Sequence, residues 1–281
     1  TLNMTYPWFG DFIKRLQSLN QLDLDTRKGK WPWWYNYPMS TNDTSFIFMN
    51  ASIDSYGLFT MLHECGHALH HLYTYGIEPS YQRHPWSEVC EIASMAQELL
   101  SIDKLQNFFE NQRDYDISVL EKLEDDILMF PWISKIDLFQ HWLYTHQNHT
   151  HEQRHQKWID LSKEYPYDTR NGIFDAWEWE YKWYLGINWQ KQMHIFDYPF
   201  YYIEYAIASL AAIAIRRNYL DNQITWIENY INLLKAGNTK TMPEIFADGW
   251  VRFDFTSTYI KELMSFLEWR IQQLYHTLSH S

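Results

Sequence analysis

Cysteine is scarce in this chain, which has only Cys65 and Cys90 among its 281 residues. Two cysteines cannot supply the disulfide framework that holds small secreted domains together. The first ten residues, TLNMTYPWFG, also lack the basic region and the apolar run of a signal peptide. We therefore expect a cytoplasmic protein in which both thiols are small buried residues.

Long apolar runs are missing as well, and basic residues are outnumbered. The longest apolar run, IASLAAIAI, extends only from Ile207 to Ile215, whereas a membrane-spanning helix needs about 20 residues. The chain has 23 Lys and Arg against 35 Asp and Glu, so its net charge is −12. Binding to nucleic-acid phosphates needs a basic surface. These features predict that the protein spans no membrane and binds no nucleic acid.

Glycine and proline, nine of each, are too few for a low-complexity linker. Helical spacing of apolar residues dominates the chain. The exception is SFIFMNAS, Ser45–Ser52, which is too short for a helix and is typical of a strand. The sequence therefore predicts a mainly α fold with a small β-sheet near residues 32–50, organised as a single domain over residues 1–281.

Apolar spacing and helix-end signals locate the helices. Asp54 or Ser55 is expected to cap the second helix, which should stop at Gly76, and Pro85 suits the first turn of the third. The polar stretch 145–157 is typical of a connection between helices. The expected ranges are Trp8–Leu19, Ser55–Tyr75, Pro85–Phe109, Ser118–Phe130, Pro131–Tyr144, Glu152–Tyr165, Gly172–Trp183, Tyr202–Tyr219, Thr225–Leu234 and Thr256–Leu274.

Histidine is plentiful by contrast, and four of the 13 fall within HECGHALHH, residues 63–71. The first five letters form an H-E-x-x-H pattern. On a helix, positions i and i+4 share a face, so His63 and His67 can both reach one ion about 2 Å away. Glu64 lies about 100° round the helix, where it can hydrogen-bond a water on the metal. A metallopeptidase requires this geometry, because the ion lowers the pKa of the water and the carboxylate takes its proton.

A chance match to so short a pattern is the plain alternative. The next helix, PWSEVCEIASMAQELL, favours a metal site because it carries Glu88, Glu91 and Glu98 among apolar residues. Glu91 and Glu98 are seven residues apart and share a face. Buried carboxylates need a partner, which a cation would supply, whereas Glu88 is more simply explained as solvated. The two helices together offer the third protein ligand that a zinc site needs.

HECGHALH followed by EIASMAQE resembles the oligoendopeptidase F branch of the thimet oligopeptidase family of zinc peptidases. The similarity extends to SFIFMN, FPWISKIDLFQHWLY, HIFDYPFYYIEYAIASLAAIAI and FDFTSTYIKELMSF, and so covers nearly the whole chain. This resemblance implies a multi-helical zincin-type catalytic domain whose small sheet lies next to the H-E-x-x-H helix. It also implies that the protein is an endopeptidase that hydrolyses short peptides.

The resemblance implies a role for individual residues. One Zn²⁺ ion would be bound by His63, His67 and Glu91, with Glu64 as the general base. Glu98 would hydrogen-bond a ligand rather than the metal. The family also has a histidine and a pair of tyrosines that face the zinc and donate to the oxyanion of the tetrahedral intermediate. In this chain these residues are His194, Tyr202 and Tyr205, with Tyr198 and Tyr201 as alternates.

The chain departs from the family in two respects. Members are longer, and their N-terminal helical part forms the opposite wall of a deep channel. We expect that wall to be absent here, as in a fragment, a processed product, or an abridged or engineered relative. In addition, Trp31, Trp33 and Trp34 occupy a loop where the family has glycines and small residues. We expect these indoles to fill space near the zinc and restrict access to it.

Two other functions fit the same residues. A catalytically silent zinc- and peptide-binding domain is favoured by the two departures. A metallocarboxypeptidase would also use H-E-x-x-H with a downstream glutamate. An aminopeptidase of the broader clan would need a G-x-M-E-N stretch before the zinc helix, which the sequence lacks. The leading prediction is a zinc endopeptidase whose strand SFIFMNAS pairs with an extended substrate by edge addition.

Overall fold

A computed structural model describes residues 9–166 and 182–280. Helices dominate these ranges, and the three strands found there form one small sheet. The prediction of a mainly α fold with a small sheet is therefore confirmed. The helix expected at Gly172–Trp183 lies almost entirely outside the described residues. None of the helices in these ranges has the length and apolar character needed to cross a bilayer.

The bounds of the elements follow the chain order. The strands are β1 (Leu22–Asp23), β2 (Tyr35–Met39) and β3 (Thr44–Phe48). The helices are α1 (Phe9–Ser18), α2 (Ser55–Thr74), α3 (Ser87–Ser101), α4 (Gln112–Thr145), α5 (His151–Glu164), α6 (Lys182–Ile187), α7 (His194–Asp197), α8 (Tyr202–Asp221), α9 (Gln223–Lys235), α10 (Met242–Asp248) and α11 (Ser257–His280).

The chain divides into two compact units, with boundaries at Glu121–Lys122 and at Ile207–Ala208. The first unit contains the sheet, α1 to α3 and the C-terminal helices from α9 onward. The second is the internal segment Lys122–Ile207, which includes α5, α6 and α7. The single domain expected over residues 1–281 stays a prediction.

The sheet has the order β1-β3-β2, with β3 parallel to β1 and antiparallel to β2. Both sides of β3 are therefore paired, so the prediction that SFIFMNAS accepts a substrate by edge addition is wrong. Adjacent pairing could not be read from one strand alone. Strand β2 lies at one edge of the sheet, and its Pro38 suits that place because proline has no N–H to donate to a neighbour.

Helix α2 begins where the sequence signals predict. The Asp54 carboxylate accepts a hydrogen bond from the N–H of Gly57 at 2.8 Å and caps the helix. One face of α2 packs into a core shared with α1 and β3. The fully or nearly fully buried members of that core are Phe9, Phe12, Leu16, Ile47, Cys65, Ala68 and Leu69. This packing fixes the rotation of α2, and hence the directions of its histidines.

Helices α2 and α3 approach each other closely at Gly66. A Cβ at this position would lie 2.5 Å from the carbonyl oxygen of Ala93 and 2.6 Å from the Cα of Ser94. A glycine is therefore required for the two helices to lie this close. The buried Tyr230 of α9 donates its hydroxyl to the same Ala93 oxygen at 2.7 Å, which holds the pair from the other side.

Several helix bounds differ from those expected. Ser118–Phe130 and Pro131–Tyr144 form the single helix α4, with Pro131 inside it. A proline removes one helical hydrogen bond, but Ile133, Ile136 and Phe139 after it are fully buried, and their packing keeps the helix continuous. The third expected helix ends at Ser101 instead of Phe109, and short 3₁₀ segments follow it.

Two smaller differences concern helix starts. α5 begins at His151, because Thr150 and Gln153 form a capping box, so the connection expected at 145–157 is shorter. α10 was not predicted, although Thr241 and Glu244 also form a capping box at its start. That box is the signal in the sequence that could have found it.

We predict that Gly66→Ala destabilises the protein by about 1–3 kcal/mol, because the added methyl group collides with the backbone of α3. Urea unfolding followed by circular dichroism would measure this change. The matched control is Gly76→Ala, since a Cβ at Gly76 meets no atom within 4 Å. Equal stability of the two variants would contradict the close approach of α2 and α3.

Candidate functional site

The structure brings together three residues from α2 and α3 that can bind a metal. Oε2 of Glu91 lies 3.4 Å from Nε2 of His63 and 3.6 Å from Nε2 of His67. One donor atom from each residue lies within 4.8 Å of the other two. Ligand atoms that each lie about 2 Å from one zinc ion have separations of this order. This is the group that the sequence analysis assembled from two helices.

A hydrogen bond to Glu98 holds the His63 imidazole, and the His67 ring packs against it. Nδ1 of His63 lies 2.8 Å from Oε1 of Glu98, which is 8% exposed. The ring of His67 meets that of His63 edge-on, with 4.9 Å between the ring centroids. Nε2 of each ring is directed towards Glu91. Metal-binding histidines usually have the arrangement of His63, with the second nitrogen bonded to a carboxylate or a backbone carbonyl.

The hydroxyl of Ser94, one turn after Glu91 on α3, restrains the third donor. Its oxygen donates to Oε2 of Glu91 at 3.0 Å and is fully buried. Glu91 itself is 5% exposed. The carboxylate is therefore held at a fixed depth between α2 and α3, where a buried negative charge favours a cation.

Glu64 is buried beside this cluster and is 2% exposed. Its Oε2 has no hydrogen-bond partner in the described part of the chain. Burial, followed by the charges of Glu91 and Glu98, raises the pKa of Glu64 to about 7, although His63 opposes the shift. Buried polar atoms usually have a partner, so this oxygen is available to a water or a ligand. A pKa near neutrality suits a group that takes up and returns a proton.

The pKa values of the two histidines are shifted in opposite directions. Burial lowers the pKa of His67 to about 4, so its ring is neutral near pH 7. Burial opposes protonation of His63 too, but hydrogen bonds to Glu91 and Glu98 raise its pKa well above the usual value. The site therefore attracts positive charge at the His63 position. A donor set of two imidazoles and one carboxylate, with the unpartnered Glu64 oxygen beside it, fits a zinc ion.

His70 and His71 do not belong to this donor set. His70 is 2% exposed, and burial lowers its pKa well below the usual value. His71 hydrogen-bonds Asn36 on β2 through Nδ1 at 2.9 Å, and burial lowers its pKa to about 3. His71 also lines a cavity of about 410 Å³ near Tyr75 and Arg83. None of the three metal-ligand candidates lines that cavity.

Neither thiol is a nucleophile. Cys65 is fully buried, as expected, and Cys90 is only half-buried. Burial raises the pKa of Cys65 and raises that of Cys90 to about 12. Because the thiolate is the reactive form, both cysteines are inert at neutral pH.

A second group of predicted residues lies in the second unit, around His194. Nδ1 of His194 is 2.7 Å from the side-chain amide nitrogen of Gln192. An amide nitrogen only donates, so Nδ1 accepts and the ring proton of a neutral His194 is on Nε2. The hydroxyl of Tyr205 lies 3.5 Å from that Nε2. His194 and Tyr205 are therefore two neighbouring hydrogen-bond donors.

The other tyrosines differ in their relation to His194. The ring centroid of Tyr202 lies 5.1 Å from that of His194, and the ring of Tyr201 stacks on His194 at 6.0 Å. Tyr198 is 65% exposed and contacts Tyr201 at 6.3 Å. The structure thus groups Tyr201, Tyr202 and Tyr205 with the histidine and leaves Tyr198 at the surface.

The sequence analysis missed Phe200, which precedes α8. Its φ angle is +64°, in the left-handed region that aromatic residues rarely adopt. Its ring lies 5.0 Å from that of His141 and 5.1 Å from that of Tyr144. Backbone strain of this kind concentrates at functional sites, and no pattern in the sequence indicates it.

A buried lysine supports the tyrosine group, and the sequence analysis missed it too. The indole N–H of Trp132 donates to the Tyr202 hydroxyl at 3.1 Å. Nζ of Lys135 lies 4.3 Å from the Trp132 ring and 4.6 Å from the Trp158 ring. Lys135 is 4% exposed, and burial, aided by the charge of Lys191, lowers its pKa to about 7.

The loop that carries Trp31, Trp33 and Trp34, called the tryptophan loop here, is held by hydrogen bonds from Asn50 and Lys30. The side-chain amide of Asn50 donates to the carbonyl oxygens of Trp31 at 2.7 Å and Trp33 at 3.3 Å. The buried ammonium of Lys30 contacts the carbonyl oxygens of residues 23, 25 and 49. Trp31 is 66% exposed and Trp34 43% exposed. These two indoles are therefore not buried, and the expected restriction of access to the zinc by the three tryptophans stays a prediction.

Comparison with known proteins agrees with this geometry. The model of Peptidase family M3 matches residues 12–265. The chain is 28% identical over 206 residues to oligopeptidase PepF of Bacillus subtilis (strain 168), covering 69% of this chain and 28% of that protein. It is 24% identical over 255 residues to the chromosomal oligoendopeptidase F of Lactococcus lactis subsp. cremoris, covering 85% and 38% respectively.

Among solved structures, PZ peptidase A with an inhibitor superposes with a TM-score of 0.85 at 25% identity. The match covers 96% of this chain and 47% of that one. The chain thus spans less than half the length of the three proteins compared.

The buried Lys135 predicts a pH dependence of stability. Between pH 7 and about 10 the unfolded chain holds this proton and the folded chain does not, so stability rises with pH in that window. One such proton contributes a slope of at most about 1.4 kcal/mol per pH unit. Lys135→Met should flatten that slope in urea unfolding measured at several pH values. The exposed Lys163→Met should retain it, and equal slopes for both variants would contradict the assignment.

Proposed function

Because this chain belongs to Peptidase family M3, in its oligoendopeptidase F branch, we propose that it carries the hydrolytic site of a zinc-dependent endopeptidase that acts on short peptides. The observation that supports this most strongly is the cluster of His63, His67 and Glu91 with the unpartnered carboxylate of Glu64 beside it. A buried acid without a partner next to three metal-capable donors has little purpose in a purely structural site.

His63, His67 and Glu91 would hold the zinc ion. When bound, zinc would supply Lewis acidity, which lowers the pKa of water and polarises a carbonyl group. Glu98 accepts the Nδ1 proton of His63 and keeps that ring turned so that Nε2 faces Glu91. Ser94 restrains the Glu91 carboxylate in the same way. These residues keep the donors in place before any ligand arrives.

Glu64 acts as the general base. Its carboxylate takes a proton from the attacking water and later passes it to the leaving amine. Burial supports both steps, because a pKa of about 7 makes the group basic enough to accept a proton and acidic enough to return it.

His194 and Tyr205 stabilise the oxyanion of the tetrahedral intermediate. The Nε2 proton of His194 and the hydroxyl of Tyr205 are uncharged donors 3.5 Å apart, and such hydrogen bonds strengthen as negative charge develops. Tyr202 packs against His194 and is fixed by the indole of Trp132, so we assign it to positioning. The role of this group at the metal site rests on the family resemblance.

The substrate binds as an extended strand along the outer edge of β2. No other strand of the described chain pairs with that edge. The side chain of Asn36 on β2 donates to the backbone oxygen of Glu64 at 3.4 Å, which ties the edge strand to α2. Hydrogen bonds to the main chain would give affinity without strict sequence choice, as a general oligopeptidase requires.

The proposal also includes a location in the cytoplasm and short peptides as the binding partners. The net charge of −12 and the absence of an apolar run of membrane-spanning length support a cytoplasmic enzyme that binds short peptides and no nucleic acid.

Glu64→Gln is expected to lower kcat for a quenched fluorescent peptide by about 10²–10⁴-fold, because it removes the base and leaves the metal donors. Elemental analysis should find the same zinc content as in the parent. Glu88→Gln, the same change at the half-buried start of α3, should retain activity. Equal cleavage by Glu64→Gln and parent would disprove the mechanism.

The same assay separates the alternatives. A parent protein that binds zinc and peptide but never cleaves would be the silent binding domain. Cleavage only of peptides with a free C-terminus would indicate a metallocarboxypeptidase.

Glu98→Gln is expected to weaken zinc binding by about 10–100-fold, since the neutral amide holds His63 less firmly than the carboxylate does. Competition with a zinc chelator would measure the affinity. Glu88→Gln again serves as the control and should bind zinc like the parent. An unchanged affinity in Glu98→Gln would rule out the supporting role of this residue.

A further inference from the structure

One face of α2 extends beyond the histidines. Residues that are exposed or half-buried recur on it at spacings of four, three and four, which is helical: Tyr56, Thr60, His63 and His67. Tyr56 is 61% exposed. At 1.5 Å per residue, it lies about 10 Å along the helix axis from His63. The exposed tyrosine therefore lies on the same side of α2 as the metal ligands.

The ring of Trp34 contacts the ring of Tyr56. The ring centroids of Trp34 and Tyr56 are 6.0 Å apart, and the ring planes are inclined at 81°. The loop that carries Trp34 is held by Asn50 and Lys30, so the indole is fixed before a ligand binds. The two rings present one face and one edge, and a third aromatic ring can pack against either.

Contacts along β2 fix its direction relative to α2. Trp34, just before the strand, meets Tyr56 at the start of the helix. Ser40, just after the strand, accepts a hydrogen bond from Tyr75 at the end of the helix. β2 therefore runs in the same direction as α2. A peptide added antiparallel to β2 would have its C-terminal part at Trp34.

We propose that Trp34 and Tyr56 form a specificity subsite, which receives an aromatic side chain of the substrate at the second or third position after the cleaved bond. This inference rests on the proposed function. An extended peptide advances about 3.3 Å per residue, so a separation of about 10 Å from His63 corresponds to about three residues. Antiparallel addition places that side chain after the cleaved bond.

The chemistry favours an aromatic side chain over a charged one. The nearest acid on α2, Asp54, is occupied by the N–H of Gly57 and the hydroxyl of Ser52. Lys30 is buried and paired with Asp23. These two charged groups are already engaged, whereas a third ring would bury apolar area on both walls of the subsite.

The test compares two blocked peptides that differ only by Phe or Ala at the second and third positions after the cleaved bond, which mass spectrometry locates. The parent should prefer the Phe peptide about tenfold in kcat/KM, with the difference mainly in KM. Trp34→Ala and Tyr56→Ala should each lose most of this preference. Circular dichroism should show that both variants are folded like the parent. Trp269→Ala removes an indole that is 48% exposed on α11 and should change nothing.

A binding experiment keeps this inference separate from the proposed hydrolysis. Calorimetry with Glu64→Gln should show tighter binding of the Phe peptide than of the Ala peptide, and adding Trp34→Ala should remove the difference. That result without any cleavage by the parent would support the subsite and overturn the hydrolysis. Three results would overturn the subsite. The parent could cleave without a Phe preference, the preference could survive both aromatic substitutions, or it could concern a position before the cleaved bond. Failure of the parent and of Glu64→Gln to bind either peptide would overturn both.

Discussion

The close contact of α2 with α3 at Gly66 is the constraint on which the candidate site depends. With any side chain at this position, the helices would have to separate, because the Ala93 oxygen and the Ser94 Cα lie where a Cβ would go. Separation would move Glu91 away from the two histidines on α2. The glycine between the motif histidines therefore serves packing, and packing in turn sets the distances between metal donors from different helices.

Local rules predicted two histidines and a buried carboxylate, and the family resemblance selected Glu91 over Glu98 as the ligand. Helical periodicity places His63 and His67 on one face whatever the tertiary structure is. A carboxylate such as Glu91 within an apolar helix must find a buried partner. Both arguments are local, and so they hold as soon as the helices form. Helix capping likewise depends on residues close in sequence, which is why Asp54 could be named as a candidate cap.

The features that were missed depend on tertiary contacts. The place of β3 in the centre of the sheet needs two partners that one strand does not reveal. Pro131 should end a helix by local rules, yet buried neighbours keep α4 continuous. The left-handed backbone at Phe200 and the burial of Lys135 between two indoles likewise have no pattern in the sequence. These features come from the packed chain as a whole.

The ammonium group of Lys30 acts in the tryptophan loop much as a bound potassium ion would. It binds three carbonyl oxygens from two separate stretches of backbone, and its side chain is only 1% exposed. An acetylating enzyme or reagent cannot reach it while the loop is folded. A lysine modified during synthesis, before folding, would lose the charge that those oxygens require, so the timing of modification would decide whether the loop forms.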